Sequence, residues 1–322
     1  MRAPEFWRRD DVTARLLRAS LGPFSWAYGA SVAWKARHAL PYRARAKVIC
    51  VGNLTVGGTG KTPVAIAIAQ ALIARGRKPA FVSRGYGGKQ RGPLAVNPYK
   101  DRATDVGDEP LLLALAAPTF VARDRAAAAT LAEQNADVIV MDDGHQNFSL
   151  EKDLSLVVVD GEESFGNECV LPAGPLREPI AQGLARADAV IVLGDGTPDL
   201  SKFNGPVLRA RLRATAIPQV NGKVVAFAGI GRPEKFFASL RAFGTEIVDA
   251  RAYPDHNSYT ASEIARLKAR ARDAGAALIT TEKDYVRLTD AERMGIAFLP
   301  VHAAFDDPTA LEHLLDTLGH AV

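Results

Sequence analysis

The chain has 322 residues, enough for one large or two medium domains with a substantial core. Apolar residues make up 48% and charged residues 24%, an ordinary soluble balance, and no apolar run approaches the ~18 residues that cross a bilayer. The net charge of +4 is uneven: residues 1–50 hold ten Lys and Arg against three Asp and Glu, so +7, which leaves the rest at −3 and argues against nucleic acid as a partner.

Residues 1–46 read as two helices broken at Gly22–Pro23, the first capped by Asp10 or Asp11 and the second running from Phe24 to Leu40. All three tryptophans, Trp7, Trp26 and Trp34, lie here among arginines and leucines. That mixture suits a helix lying in a headgroup layer, where each basic residue contributes ~1 kcal/mol on anionic lipid. It equally suits an amphipathic helix packed on the protein body. The segment has neither the continuous apolar stretch nor the small-residue cleavage site of a signal peptide.

Residues 47–62, KVICVGNLTVGGTGKT, carry the strongest signal. A buried strand (Val48 to Val51) empties into a loop with Gly57, Gly58 and Gly60, and Lys61 and Thr62 then open a helical pattern. These are the parts of a phosphate-binding loop, with Thr55 where the pattern has its first glycine. The span Thr55, Val56, Gly57, Gly58, Thr59, Gly60, Lys61 and Thr62 would cradle a nucleoside triphosphate on backbone amides and a helix N-terminus. Lys61 would reach the β- and γ-phosphates and the Thr62 hydroxyl would ligate Mg²⁺. Cys50 falls inside this strand as a small core residue. With Cys169 it offers neither a disulfide framework nor metal-ligand spacing, as expected in a reducing cytoplasm.

Pro79–Ser83 reads as a second strand ending in SRGYGG, which delivers Arg84 and Tyr86 to the edge where parallel sheets bind ligands. Residues 89–104 have no pattern and read as a loop. TDVGDEP (104–110) precedes a Leu/Ala helix over 111–117, where Asp108 and Glu109 could simply complement the helix dipole. PTFVARDR (118–125) reads as a strand with Arg123 at its end, followed by a helix. ADVIVMDDGHQ (136–146) has the Walker-B form, an apolar run ending in Asp142 and Asp143, about 80 residues beyond the phosphate loop.

LSLVVVD (154–160) and ADAVIVL (187–193) are further buried strands, and LPAGPLREP (171–179) between them would hold Arg177 and Glu178 rigidly. VLRARLRA (207–214) alternates like a half-exposed strand linking to a second unit. From Lys223 the βα alternation restarts without a glycine-rich phosphate loop, and YPDHNSYT (253–260) with His256 is its most chemical stretch. The division expected is an N-terminal helical segment (1–46), a P-loop α/β domain with a parallel sheet flanked by helices (47–215), and a smaller α/β domain (216–322).

GNLTVGGTGKTP, SRGYGG, VGDEP, DDGHQ, LPAGPLREP, PDH and TTEKD, in this order, resemble the tetraacyldisaccharide 4'-kinase family over about residues 47 to 290. That family phosphorylates the lipid A disaccharide 1-phosphate with ATP in Gram-negative bacteria. The resemblance implies a peripheral protein on the cytoplasmic face of the inner membrane, with two domains that close over ATP. It places Lys61 and Thr62 on phosphate and Mg²⁺, Asp142 and Asp143 in the metal site with Glu109 nearby, and Asp108 as base on the 4'-hydroxyl, oriented by His256. Arg84 and Arg177 match catalytic positions, and Tyr86, Arg123 and Glu178 substrate-side ones. A four-chain lipid leaves the bilayer at ~0.8 kcal/mol for each exposed CH₂, so the enzyme must come to the membrane surface, which favours lipid docking by the N-terminal segment.

Two rival readings remain in the sequence. A P-loop kinase or ligase of a soluble metabolite has no use for the Trp/Arg start. A membrane-attached nucleotide switch of the partitioning-ATPase kind places a lysine where Val56 stands, and a GTPase needs N-K-x-D where TEKD (281–284) has its lysine one place late.

Overall fold

The computed structural model describes residues 4–214, 220 and 222–319. A short 3-10 turn (Glu5–Trp7) leads into one 27-residue helix, α1 (Val12–His38), capped by the Asp11 side chain on the Ala14 amide. The expected break at Gly22–Pro23 does not occur. The clash that disfavours helix for the residue before a proline falls partly on that residue's Cβ, and Gly22 has none. Pro23 itself lies exposed, where water can satisfy the freed carbonyl.

β1 (Lys47–Gly52) runs through the glycine loop into α2 (Lys61–Ala74) and β2 (Pro79–Ser83). Next come β3 (Leu94–Ala95), α3 (Ala103–Val106), α4 (Asp108–Ala116), β4 (Thr119–Val121), α5 (Arg125–Ala132) and β5 (Val138–Asp142). β6 (Leu154–Asp160), α6 (Ile180–Leu184), β7 (Ala189–Leu193) and β8 (Val207–Ala214) complete this stretch. Beyond it lie β9 (Lys223–Ala228), α7 (Pro233–Ala242), β10 (Glu246–Ala252), α8 (Ala261–Asp273), β11 (Ala277–Thr281), α9 (Glu282–Tyr285), α10 (Asp290–Arg293) and β12 (Ile296–Leu299). β13 (Val301–Phe305) and α11 (Pro308–Asp316) close the described chain.

The near-continuous Val/Ile/Leu runs of β1, β5, β6 and β7 are buried along their length because helices cover both faces of their sheet. That nine-stranded sheet has the order β13-β8-β7-β6-β1-β5-β2-β4-β3, parallel except where β13 and β3 pair antiparallel at its edges. On one face Val64, Ile68 and Leu72 of α2 meet Leu311, Leu314 and Leu315 of α11, and on the other α5 packs through Ala128, Ala129 and Ala132. β1 sits between β5 and β6, so the strand order reverses around it and its carboxyl end opens the crevice where such sheets bind ligands.

The second sheet, β10-β9-β11-β12, is parallel throughout. Alternate residues of β9 feed its two faces: Val224, Ala226 and Ala228 against Phe236, Phe237 and Leu240 of α7, and Val225 and Phe227 against Ile264 and Leu267 of α8. The smaller unit read as 216–322 therefore ends at β12 in strand pairing, because β13 returns to β8 of the large sheet and α11 packs beneath it. The expected boundary at 215–216 lies outside the described residues. VLRARLRA is an integral strand of the large sheet rather than a link, since β8 pairs parallel with β7. Within the expected loop 89–104, Leu94–Ala95 pairs with β4.

Candidate active site

The phosphate loop is shaped by packing before any ligand enters it. Asn53, fully buried, donates from its side-chain amide to the Thr55 carbonyl (2.7 Å) and the Thr59 hydroxyl (3.0 Å). Thr55 bridges to Leu176, and the Val56 amide donates to the Pro175 carbonyl (2.8 Å), so these two residues fix the loop through their backbone. Gly60 caps α2 at φ +79°, and a Cβ there would lie 2.3 Å from Leu193, so only glycine fits this turn. The first-turn amides of α2, at Lys61 and Thr62, have no acceptor within the helix and open at this mouth.

β5 pairs with β1 in a register that sets Asp142 opposite Val51. The Thr62 hydroxyl donates to Asp142 Oδ2 (3.0 Å), joining the two sides of the crevice. Asp142 is 1% exposed, and its Oδ1 is buried without a protein partner. Burial, then the nearby Glu109 carboxylate, pushes Asp142 up to about 7. Its neighbour behaves oppositely. Burial alone would raise Asp143, but Lys61 (3.6 Å) and Arg177 (2.8 Å) draw it down to about 2. Asp143 also sits at φ +52°, a strained backbone for a non-glycine residue, which turns its carboxylate to these cations.

The acceptor side is built by two loops and the second sheet. Gly107 stands at φ +94°, and a Cβ would lie 2.5 Å from the Tyr86 carbonyl, so the VGDEP and SRGYGG loops are pressed together. α4 begins at Asp108, three residues before the expected helix, which puts Asp108 and Glu109 in its first turn. Asp108 is 5% exposed, and its Oδ2 accepts from His256 Nδ1 (3.0 Å) and Arg287 Nε (2.8 Å). Its burial favours the neutral acid, but the His256 hydrogen bond and the Lys283 and Arg287 charges outweigh it and hold the carboxyl well below its usual range. His256, at φ +57°, sets its ring edge-on to Tyr86 with centroids 5.6 Å apart. Glu109 takes an ion pair from Lys283 (3.1 Å).

The residues expected from the sequence thus separate. Lys61, Thr62, Asp142, Asp143 and Arg177 converge on the loop mouth, and Asp108, His256 and Tyr86 form the facing group. Arg84 and Arg123 stand exposed near the ends of β2 and β4. Glu178 does not face a ligand: 1% exposed, it accepts from Arg186 (2.8 and 2.6 Å) and Gln146 (2.9 Å) and braces the loop behind Arg177.

Three residues escaped sequence reasoning. Arg125, two places beyond Arg123, is 3% exposed with its Nε unpartnered, and burial, then the Arg84 charge, lowers it to about 10. Its RD-type setting resembles any helix start. Lys283 and Arg287 reach the site from the second sheet, and their four-residue spacing after the Thr281 cap was the available signal.

Comparisons with known proteins identify the family. A sequence profile of tetraacyldisaccharide-1-P 4'-kinase (LpxK) matches residues 17–319. The chain belongs to the tetraacyldisaccharide 4'-kinase family. It is 50% identical to the tetraacyldisaccharide 4'-kinase of Paramagnetospirillum magneticum, covering 99% of each chain. It is 49% identical to that of Rhodospirillum rubrum, covering 99% of this chain and 98% of the relative. The crystal structure of an "apo" form of LpxK from Aquifex aeolicus in complex with ATP superposes with a TM-score of 0.76 at 26% identity, covering 94% of this chain and 100% of that one. The chain is accordingly an ATP-dependent phosphotransferase, a 4'-kinase of lipid A biosynthesis, and the α/β architecture read from its sequence is that of the family.

Proposed function

We propose that this kinase transfers the γ-phosphoryl group of ATP to the 4'-hydroxyl of an acylated disaccharide 1-phosphate held in a membrane surface, the cytoplasmic face of the inner membrane. One observation carries the reading: a buried carboxylate, Asp108, tied to a histidine, stands across from a phosphate loop closed by Thr62 and Asp142.

Mg²⁺ fits the residues present. The unpartnered Asp142 Oδ1 and the adjacent Thr62 hydroxyl are hard oxygen donors, and Mg²⁺ usually completes its shell with phosphate oxygens and water. Glu109 supports that charge from nearby, whereas Asp143 is committed to Lys61 and Arg177. When bound, Mg²⁺ neutralises charge on the β- and γ-phosphates.

The chain's own residues supply the rest. Lys61 and the α2 N-terminus hold the phosphates, and Arg177 is within reach of the same mouth. Arg84, Arg123 and Tyr86 line the approach of the sugar. As the acceptor oxygen bonds to the γ-phosphorus, the bridging P–O bond breaks, ADP leaves, and the hydroxyl proton passes to Asp108. A carboxylate kept ionised suits a transfer in which orienting the hydroxyl matters more than early deprotonation.

The outer surface of α1 supports the lipid side. Its buried positions, Ala14, Ser25, Gly29 and Val32, are mostly small, while Trp26 and Trp34 are 77% and 61% exposed. No described helix is long and apolar enough to cross a membrane, so α1 would lie in the interface. Asp108→Ala tests the chemistry: ATP binding should persist, with turnover reduced ~10²–10⁴-fold. Normal turnover would reduce Asp108 to a helix-start acid.

A further inference from the structure

The stretch TTEKDYVRL (280–288) builds a support that the transfer step above leaves out. Thr281 caps the short helix α9, accepting from the Asp284 amide (3.0 Å), and the turn brings Arg287 back over Asp284. Asp284 is fully buried and accepts from the Gly229 amide (2.9 Å), the Thr281 hydroxyl (2.6 Å), the Tyr259 hydroxyl (2.9 Å) and Arg287 Nη1 (2.6 Å). The same Nη1 donates to the Gly229 carbonyl (2.8 Å). One edge of the guanidinium is therefore fixed entirely within the smaller unit.

The other edge crosses to the large one. Nε (2.8 Å) and Nη2 of Arg287 both donate to Asp108 Oδ2, which His256 Nδ1 also reaches (3.0 Å). Oδ1 accepts the Glu109 amide (2.9 Å) and has lone-pair capacity to spare. The Arg287 side chain is 6% exposed, so water does not compete for these bonds.

We propose that Arg287 is a positioning residue of the phosphoryl transfer, locking the Asp108 carboxylate so that Oδ2 is engaged and Oδ1 is presented to the acceptor hydroxyl. This rests on the reading of Asp108 as the group that acts on the acceptor. A planar fork can bond a carboxylate with one edge and its anchor with the other, which an ammonium cannot. A lysine at 287 would keep the charge but lose that geometry.

The test is a double-mutant cycle on the full chain, with steady-state transfer to a tetraacylated disaccharide 1-phosphate and thermal melting of each variant. Wild type and Asp108→Ala come first, and normal turnover by Asp108→Ala would defeat both the base assignment and this proposal. With Asp108 confirmed, Arg287→Ala should lower kcat ~10–100-fold with KM for ATP within ~3-fold, and Arg287→Lys should fall between. Added to Asp108→Ala, the Arg287→Ala change should cost less than ~2-fold more, because there is no carboxylate left to position. Multiplicative losses in the double variant, or a loss confined to KM for ATP or to melting temperature, would overturn the positioning role and leave the base assignment intact. Should Arg287→Ala not fold, the cycle is run with Arg287→Lys, which keeps the cation and most of the volume, and the same two outcomes decide.

Discussion

His145 sits in the middle of the acidic motif DDGHQ and takes no part in its chemistry. It is 1% exposed, with Nε2 donating to the Gly183 carbonyl (2.9 Å) and Nδ1 paired with the Ser155 hydroxyl (3.2 Å), so the neutral ring is fully bonded where it lies. Burial, then the charges of Arg186 and Lys152, lower it to about 3. Between its unfolded value near ~6.5 and its folded value, the unfolded chain binds a proton that the native state refuses, so stability falls as pH falls, by ~1.4 kcal/mol for each pH unit. Thermal melting of His145→Gln, which can keep the bond to Gly183, should therefore decline less steeply than wild type from pH 6.5 to 4.5. Parallel curves would show that the ring is protonated in the native state. Asp142 and Asp143 teach the same lesson in one dipeptide, since the fully buried Asp142 faces Glu109 while the partly exposed Asp143 is paired with Lys61 and Arg177.

At the scale of elements, α1 is where sequence and structure diverge most usefully. The Gly–Pro pair predicted two helices, because proline propensity is a local rule. In the continuous helix, glycine at 22 removes the Cβ part of the clash that the rule depends on. Its composition leaves lipid docking and body packing open, and the helix shows body packing on its inner face. The inner face lies on the 170–180 loop, with Ser25 accepting from the Ala173 amide (3.2 Å) and Trp7 of the preceding turn donating to the Pro172 carbonyl (3.1 Å). The outer face carries Trp26, Phe24 and Leu16 exposed. Replacing Trp26 and Trp34 together by alanine should weaken binding to anionic vesicles at least ~10-fold, since interfacial aromatics anchor such helices, while leaving the melting temperature within about 1 °C. Unchanged sedimentation with vesicles would remove this face from the membrane reading. The strand, glycine turn and helix of residues 47–74, by contrast, were legible, because they are contiguous in the chain and each acts on its neighbour.

The molecule as a whole brings two sheets to one carboxylate, Asp108, which His256 and Arg287 of the smaller unit both reach. Contiguous motifs revealed the large sheet's share: the phosphate loop, the Asp142 strand and the VGDEP turn. The smaller unit's share was harder to read. Lys283 and Arg287 look like any exposed helix face until the fold carries them to α4, some 175 residues earlier in the chain. For the same reason the return of β13 to β8 was invisible, since a strand's sequence does not state which edge it will join. This paired architecture, we propose, moves phosphate from ATP to a lipid-borne sugar hydroxyl. The direct measurement incubates the kinase with γ-labelled ATP and a tetraacylated disaccharide 1-phosphate in mixed micelles and locates the new phosphate by ³¹P NMR. Wild type should place label on the 4'-oxygen and Asp108→Ala should nearly lose it; label released to water, or a product formed equally well without Asp108, would rule out transfer through this site.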